Sequence, residues 1–124
     1  MTPEQQRIAI AEACGLTPHP DNDNRPDDLK FWSPQYSGKP GLVYTLDGPE
    51  YGEFPRSQHD ARLPDYLNDL NAMHEAEKMI KGTPYWKTYE TLLAQIVSGD
   101  NGMFHITASQ RAEAFLKTLN LWTP

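Results

Sequence analysis

Residues 63–80 read LPDYLNDLNAMHEAEKMI, and their spacing decides the fold. Leu63, Tyr66, Leu67, Leu70, Met73 and Ile80 recur mostly at three- and four-residue steps, the pattern of a helix with one apolar face. Pro64 suits a first helical position and Asp65 favours the positive end of the helix dipole, while Gly82 supplies a stop. At about 100° per residue, Glu77 falls in the middle of the apolar stripe, between Leu70 and Ile80. His74 lies a little to one side, nearer Leu67. A carboxylate facing a core is costly unless paired, so Glu77 needs a partner, and His74 is one turn away. The couple reads as an acid–base pair in a pocket, or as a structural pair where the helix end leaves the core. The sequence favours the structural reading, with His74 as the simplest companion for the more deeply placed Glu77.

Downstream, the chain stays regular. Thr83 and Pro84 start a second helix, with Tyr85, Trp86, Tyr89, Leu92, Leu93, Ile96 and Val97 all on one face. Gly99, Asn101 and Gly102 end it, and MFHIT (103–107) reads as a short strand. Thr107 then caps a last helix and Gln110 completes its capping box. Ala108, Ala112, Phe115, Leu116 and Leu119 form its core face, and Glu113 and Lys117 form a surface pair one turn apart.

Upstream, the order is looser. Thr2, Pro3 and Gln5 make a helix start, and a helix is expected over about 3–14 with Gly15 ending it in the left-handed conformation. Its apolar face is thin: Ile8, Ala11, Ile10 and Cys14. Residues 17–62 hold seven prolines, and TPHPDNDNRPDD (17–28) cannot sustain a helix or a central strand. Within this segment GLVYTLDG (41–48) alternates as a strand closed by an Asp47-Gly48 turn, and LKFW (29–32) reads as a shorter one. So long an irregular stretch is either a binding surface or a proline-stiffened wrap over the core. The expected organisation is a single domain over 1–124: an N-terminal helix (1–15), an irregular proline-rich segment with a strand near 41–47 (16–62), and a helix-helix-strand-helix core (63–124). The fold class is α+β, a small sheet packed between helices, with about four helices and two to three short strands.

The chain has 124 residues, 38% of them hydrophobic, enough for one core without disulfides. The single cysteine, Cys14, excludes an internal disulfide and suits a reducing cytoplasm. Its place at a helix C-terminus disfavours a thiolate, so a buried structural thiol is expected. The start MTPEQQRIAIAEACG lacks a basic stretch followed by an apolar run, so no secretory signal is expected, and no apolar stretch approaches membrane-spanning length. Eleven Lys and Arg against seventeen Asp and Glu leave a net charge of −6. Without a basic stripe, binding to a nucleic-acid duplex is disfavoured.

Catalytic and metal motifs fail one by one. In HEAEK (74–78) the second histidine of H-E-x-x-H is Lys78, so the zinc-protease arrangement is absent. A calcium loop starting at Asp21 would need Gly at its sixth position and Glu at its twelfth, where Pro26 and Trp32 stand. His19, His59, His74 and His105 have no ligand-like spacing. Ser57, His59 and Asp60 are neighbours in RSQHD, but triads are assembled in space and adjacency carries almost no weight. SGKPG (37–41) is not a phosphate loop. Tyr85 or Tyr89 near Lys87 could stack on a nucleotide, though their helical spacing marks them as core. No cofactor, metal or catalytic residue is expected.

RIAIAEACG (7–15), LPDYLNDLNAMHEAEK (63–78) and ASQRAEAFLKTLNLW (108–122) resemble a group of small phage and prophage proteins carrying the phage ABA sandwich domain. The likeness covers both ends of the chain and is strongest in the two C-terminal helices. In the middle nothing matches beyond loop-like character. The resemblance implies a sheet between helical layers, bacteriophage origin and residence in the bacterial host cytoplasm. It brings no activity, and no functional residue is carried over from it.

The function expected is that of a non-enzymatic phage accessory protein that binds a host protein, possessing an acidic surface, small size and a long segment able to wrap a partner. The second reading is a small-ligand binder that sequesters a nucleotide signal, for which Arg56, Arg62, Lys78, Lys81 and Lys87 are the available cations beside His74 and Glu77. A structural or assembly role and homo-oligomerisation are both compatible with the sequence.

Overall fold

The computed structural model describes residues 1–18, 30–34, 43–46, 60–98 and 106–124. The described chain forms four helices and four short strands, an α+β fold as the sequence predicts. It divides into two compact units, one of Met1–Ile10 with Pro64–Pro124 and one of Ala11–Leu63.

Helix α1 (Pro3–Ala13) runs from the first unit into the second. Its start is closed reciprocally: the Gln5 N–H donates to Thr2 Oγ1 at 3.1 Å, and the Thr2 N–H donates to Gln5 Oε1 at 2.9 Å. Gly15, at φ 102°, ends it in the backbone region that glycine enters most cheaply. Ile10 and Ala11 are buried, but Cys14 is only half-buried, contrary to the buried thiol expected. Gln6 and Arg7 are buried instead, and Arg7 Nε donates to the Pro64 carbonyl at 3.4 Å.

In the helical unit, the stretch from 63 to 80 is not one helix. Asp65 accepts backbone bonds from Asn68 and Asp69, making a single turn. Asp69 is then extended (φ −112°, ψ 105°), and its side chain caps a new helix by accepting from the Asn71 and Ala72 N–H groups. Helix α2 is therefore Leu70–Glu77. Two acidic start signals stand four residues apart, and the second one wins because its carboxylate satisfies two orphan donors at once. Met73, Ala76, Glu77 and Ile80 are buried, whereas Leu70, the first helical residue, is 41% exposed. Beyond α2 the backbone tightens into three-residue bonds, and Gly82 (φ 84°) ends the run.

Helix α3 (Tyr85–Val97) buries Tyr89, Leu93 and Val97 at four-residue steps. The uniform face expected of it breaks at its start: Trp86 is half-buried and Tyr85 is exposed. Its first turn precedes the part of the helix that is covered. Helix α4 (Ala108–Thr118) has the expected capping box, with Gln110 N–H to Thr107 Oγ1 at 3.1 Å and Thr107 N–H to Gln110 Oε1 at 2.9 Å. Its far end closes through Asn120, at φ 60°, with bonds from the Asn120 N–H to the Lys117 carbonyl and from the Leu121 N–H to the Leu116 carbonyl. Ala112, Phe115 and Leu116 are fully buried, Lys117 pairs with Glu113 at 2.7 Å, and α4 packs on both α3 and α2.

The other unit holds a sheet of strands β1 (Leu16–Pro18), β2 (Phe31–Pro34), β3 (Val43–Thr45) and β4 (Asp60–Arg62), in that order. The first two ladders are antiparallel, with Thr17 opposite Ser33 and Trp32 opposite Tyr44; the third is parallel, with Tyr44 opposite Ala61. β3 and β2 answer to the expected strands. β1 and β4 were not expected, since a strand ending in Pro18 and one beginning on the last residue of RSQHD carry no alternating apolar pattern. Pro18 is tolerable because β1 is an edge strand. Trp32 is the buried anchor, its indole N–H donating to Glu12 Oε2 at 3.4 Å. The Asp47-Gly48 turn, the loop at 99–102 and residues 103–105 of the strand expected over 103–107 lie outside the described residues, and Ile106 and Thr107 are not in a strand.

Phe115→Ala is expected to cost about 3–5 kcal/mol, the range for a fully buried large side chain. Trp86→Ala should cost clearly less, because Trp86 is only partly buried. Urea unfolding midpoints of the two variants check the order; equal losses would contradict it.

Candidate functional site

Glu77 is the group around which the helical unit is arranged. It stands at the end of α2 with its side chain 7% exposed. Its Oε2 accepts two hydrogen bonds from different helices: one from the Tyr89 hydroxyl on α3, and one of 2.8 Å from Arg111 Nη1 on α4. Tyr89 reaches it because it shares the inward face of α3 with Leu93 and Val97. Arg111 lies just before Ala112 on α4, at the margin of the buried face, and keeps 23% of its side chain exposed. Among the described residues, its Nε is buried without a hydrogen-bond partner.

His74 lies within ion-pairing reach of Glu77, as expected, but the hydrogen bonds to the carboxylate come from Tyr89 and Arg111. The His74 Nε2 is 3.9 Å from Oε1 and its side chain is half exposed. Arg111 supplies a permanent charge at hydrogen-bonding distance, and Tyr89 supplies a buried donor. Both are better matched to a desolvated carboxylate than an imidazole in solvent. Neither was legible as a partner, since Arg111 is 34 residues from Glu77. The one available signal was the unpaired demand of Glu77 itself, set beside a basic residue bordering the apolar face of α4.

Tyr89 is held well above the ordinary tyrosine pKa. Burial is the main cause, followed by the hydrogen bond to Glu77 and its negative field; Arg111 opposes the shift. With Oε2 already carrying two donors and the carboxylate almost out of solvent, Glu77 is built to tie three helices together. An acid–base role would require it to exchange protons with a bound molecule. Trp86 packs beside the cluster, its ring tilted 40° to that of Tyr89 with centroids 5.3 Å apart.

The cations proposed for ligand binding are placed as follows. Arg56 lies outside the described residues. Arg62 belongs to the sheet unit, is exposed, and its Nε donates to the Leu46 carbonyl at 3.4 Å. In the helical unit Lys78 pairs with Glu75 at 2.8 Å, Lys81 Nζ lies 5.9 Å from the centroid of the Trp86 ring, and Lys87 is exposed. What the sequence did not reveal is the surface beside them: Met79 is 51% exposed and Tyr85 is 53% exposed. The sequence reading placed Tyr85 on the apolar face of the second helix and did not single out Met79. Among the described residues no group of three or more His, Cys, Asp or Glu could hold a metal ion. No helix among them is long and apolar enough to cross a membrane.

Compared with known proteins, the chain matches no protein-family model, no curated protein and no solved structure.

Removing one partner of the buried pair leaves the other charge stranded, so Arg111→Met should destabilise the protein by about 3–5 kcal/mol. His74→Gln should stay within about 0.5 kcal/mol of wild type. Chemical unfolding of both variants compares the two partners directly, and a larger loss for His74→Gln would reverse the assignment. The raised Tyr89 pKa makes a separate prediction. Its neutral form is the one the fold holds, so this stabilisation is fully present below the unfolded value of about 10 and is lost as pH rises above it. Tyr89→Phe should therefore show a flatter alkaline decline in melting temperature than wild type; parallel declines would count against it.

Proposed function

We propose that this chain is a non-enzymatic phage accessory protein of the bacterial host cytoplasm, acting by binding a host protein and so blunting a host defence. The resemblance of residues 7–15, 63–78 and 108–122 to phage ABA sandwich proteins supports the phage setting. The observation that carries the binding role is the exposure of Met79 and Tyr85 on a helical unit whose candidate acid–base group, Glu77, is tied into an internal bridge. Large apolar side chains left half in solvent next to lysines are the raw material of an interface.

The second reading, sequestration of a nucleotide, is favoured by one feature: Lys81 over the face of Trp86, beside the exposed Tyr85, presents a cation and an aromatic ring together. Affinity capture from infected host lysate, with mass spectrometry of bound proteins and bound small molecules, separates the two. One host protein retained in near-stoichiometric amount is the expected outcome. A bound nucleotide with no protein would replace the first reading by the second.

A further inference from the structure

The connection between α2 and α3, together with the first residues of α3, reads KMIKGTPYWK (78–87), with three lysines and no acidic residue in a chain of net charge −6. Its side chains divide sharply. Ile80 is buried, while Met79 and Tyr85 are about half in solvent and Lys81 and Lys87 are exposed. Lys78 is balanced by Glu75. Lys81 and Lys87 have no ion-pair partner among the described residues, and Lys81 lies against the Trp86 ring, next in sequence to Tyr85. Two cations without an ion pair among the described residues thus share a ten-residue stretch with two exposed apolar side chains.

We propose that this stretch, the α2–α3 corner, is the docking surface for an acidic segment of a partner protein, one that carries a large apolar side chain among its carboxylates. The inference rests on the protein-binding role above and names the surface and the chemistry of what it takes. Charge complementarity selects the occupant: a positive corner on a negative protein attracts an acidic segment and orients it there. The flexible Met79 thioether adapts to an apolar side chain, and Tyr85 offers a stiff amphipathic face that is favoured at interface centres. A second copy of the chain is disfavoured because two molecules of charge −6 repel. A nucleotide is disfavoured because Met79 and Tyr85 are each about half exposed, whereas small-ligand sites bury most of their lining.

The test uses a synthetic peptide of glutamate pairs alternating with leucine and phenylalanine, titrated into the isotopically labelled full chain. Amide shifts should concentrate in residues 78–87. Charge reversal by Lys81→Glu with Lys87→Glu should weaken binding by about tenfold or more, as should high salt. Met79→Ala with Tyr85→Ala should weaken it too, and all four changes are at exposed positions, so thermal melts should match wild type. No shifts, or shifts centred elsewhere, would overturn the proposal. So would ATP shifting these amides where the peptide does not, or the same shifts appearing on concentrating the protein alone, which would make the occupant a second copy. Repeating the lysate capture with the charge-reversed variant keeps the two proposals apart. A host protein held equally well by wild type and variant would refute this surface and leave protein binding standing.

Discussion

A buried carboxylate imposes a constraint that the helical unit is built to meet. Taking Glu77 out of water costs several kcal/mol, and the bond to Arg111 returns this only when its geometry is good. Its Oε2 meets Tyr89 from α3 and Arg111 from α4, so three helices converge on one atom. The same rotations that bring Tyr89 and Arg111 to Glu77 also turn Leu93, Val97, Ala112 and Phe115 inward. Polar pairing and apolar packing thus require one common arrangement. An apolar residue in place of Glu77 could match the stability, but it would not single out this phase of each helix so narrowly.

What was legible in the sequence was local. The caps at Thr2 with Gln5 and at Thr107 with Gln110 were readable because both partners lie within one turn. The need of Glu77 for a partner was readable from periodicity; the identity of the partner was not, because it depends on how α4 meets α2. Asp69 was missed for another reason. Asp65 offers the same start signal, and only the competition between two nearby carboxylates for backbone donors decides between them. Strands β1 and β4 were invisible because their pairing, more than their own pattern, makes them strands. The exposure of Tyr85 shows the limit of a helical wheel, which assigns a direction to each side chain without saying how far along the helix the cover extends.

The α2–α3 corner combines exposed side chains with a pinned backbone. Ile80 is buried, and its carbonyl accepts both the N–H of Thr83 at 3.1 Å and the hydroxyl of Thr83 at 2.6 Å. That hydroxyl accepts in turn from the Tyr85 N–H at 3.2 Å. Met79 and Tyr85 therefore project from a turn that is closed on itself, and less order has to be imposed on it when something binds. A −6 protein repels acidic partners over much of its surface, so a positive corner on it confines where such a partner can approach more narrowly than the same corner would on a neutral one.

Helix α4 has a different consequence, for the chain before it is folded. It is closed at both ends by bonds that reach no further than five residues, a capping box at Thr107 and a left-handed stop at Asn120. Helix formation is limited by nucleation, and local closures of this kind lower that barrier without help from distant contacts. At eleven residues α4 remains marginal in isolation, yet these local closures favour its transient formation in the unfolded ensemble. When it forms, Arg111 already stands on an ordered surface, ahead of the carboxylate it will hold. Assembly of the helical unit is then eased whenever α2 and α3 meet an α4 that is transiently formed.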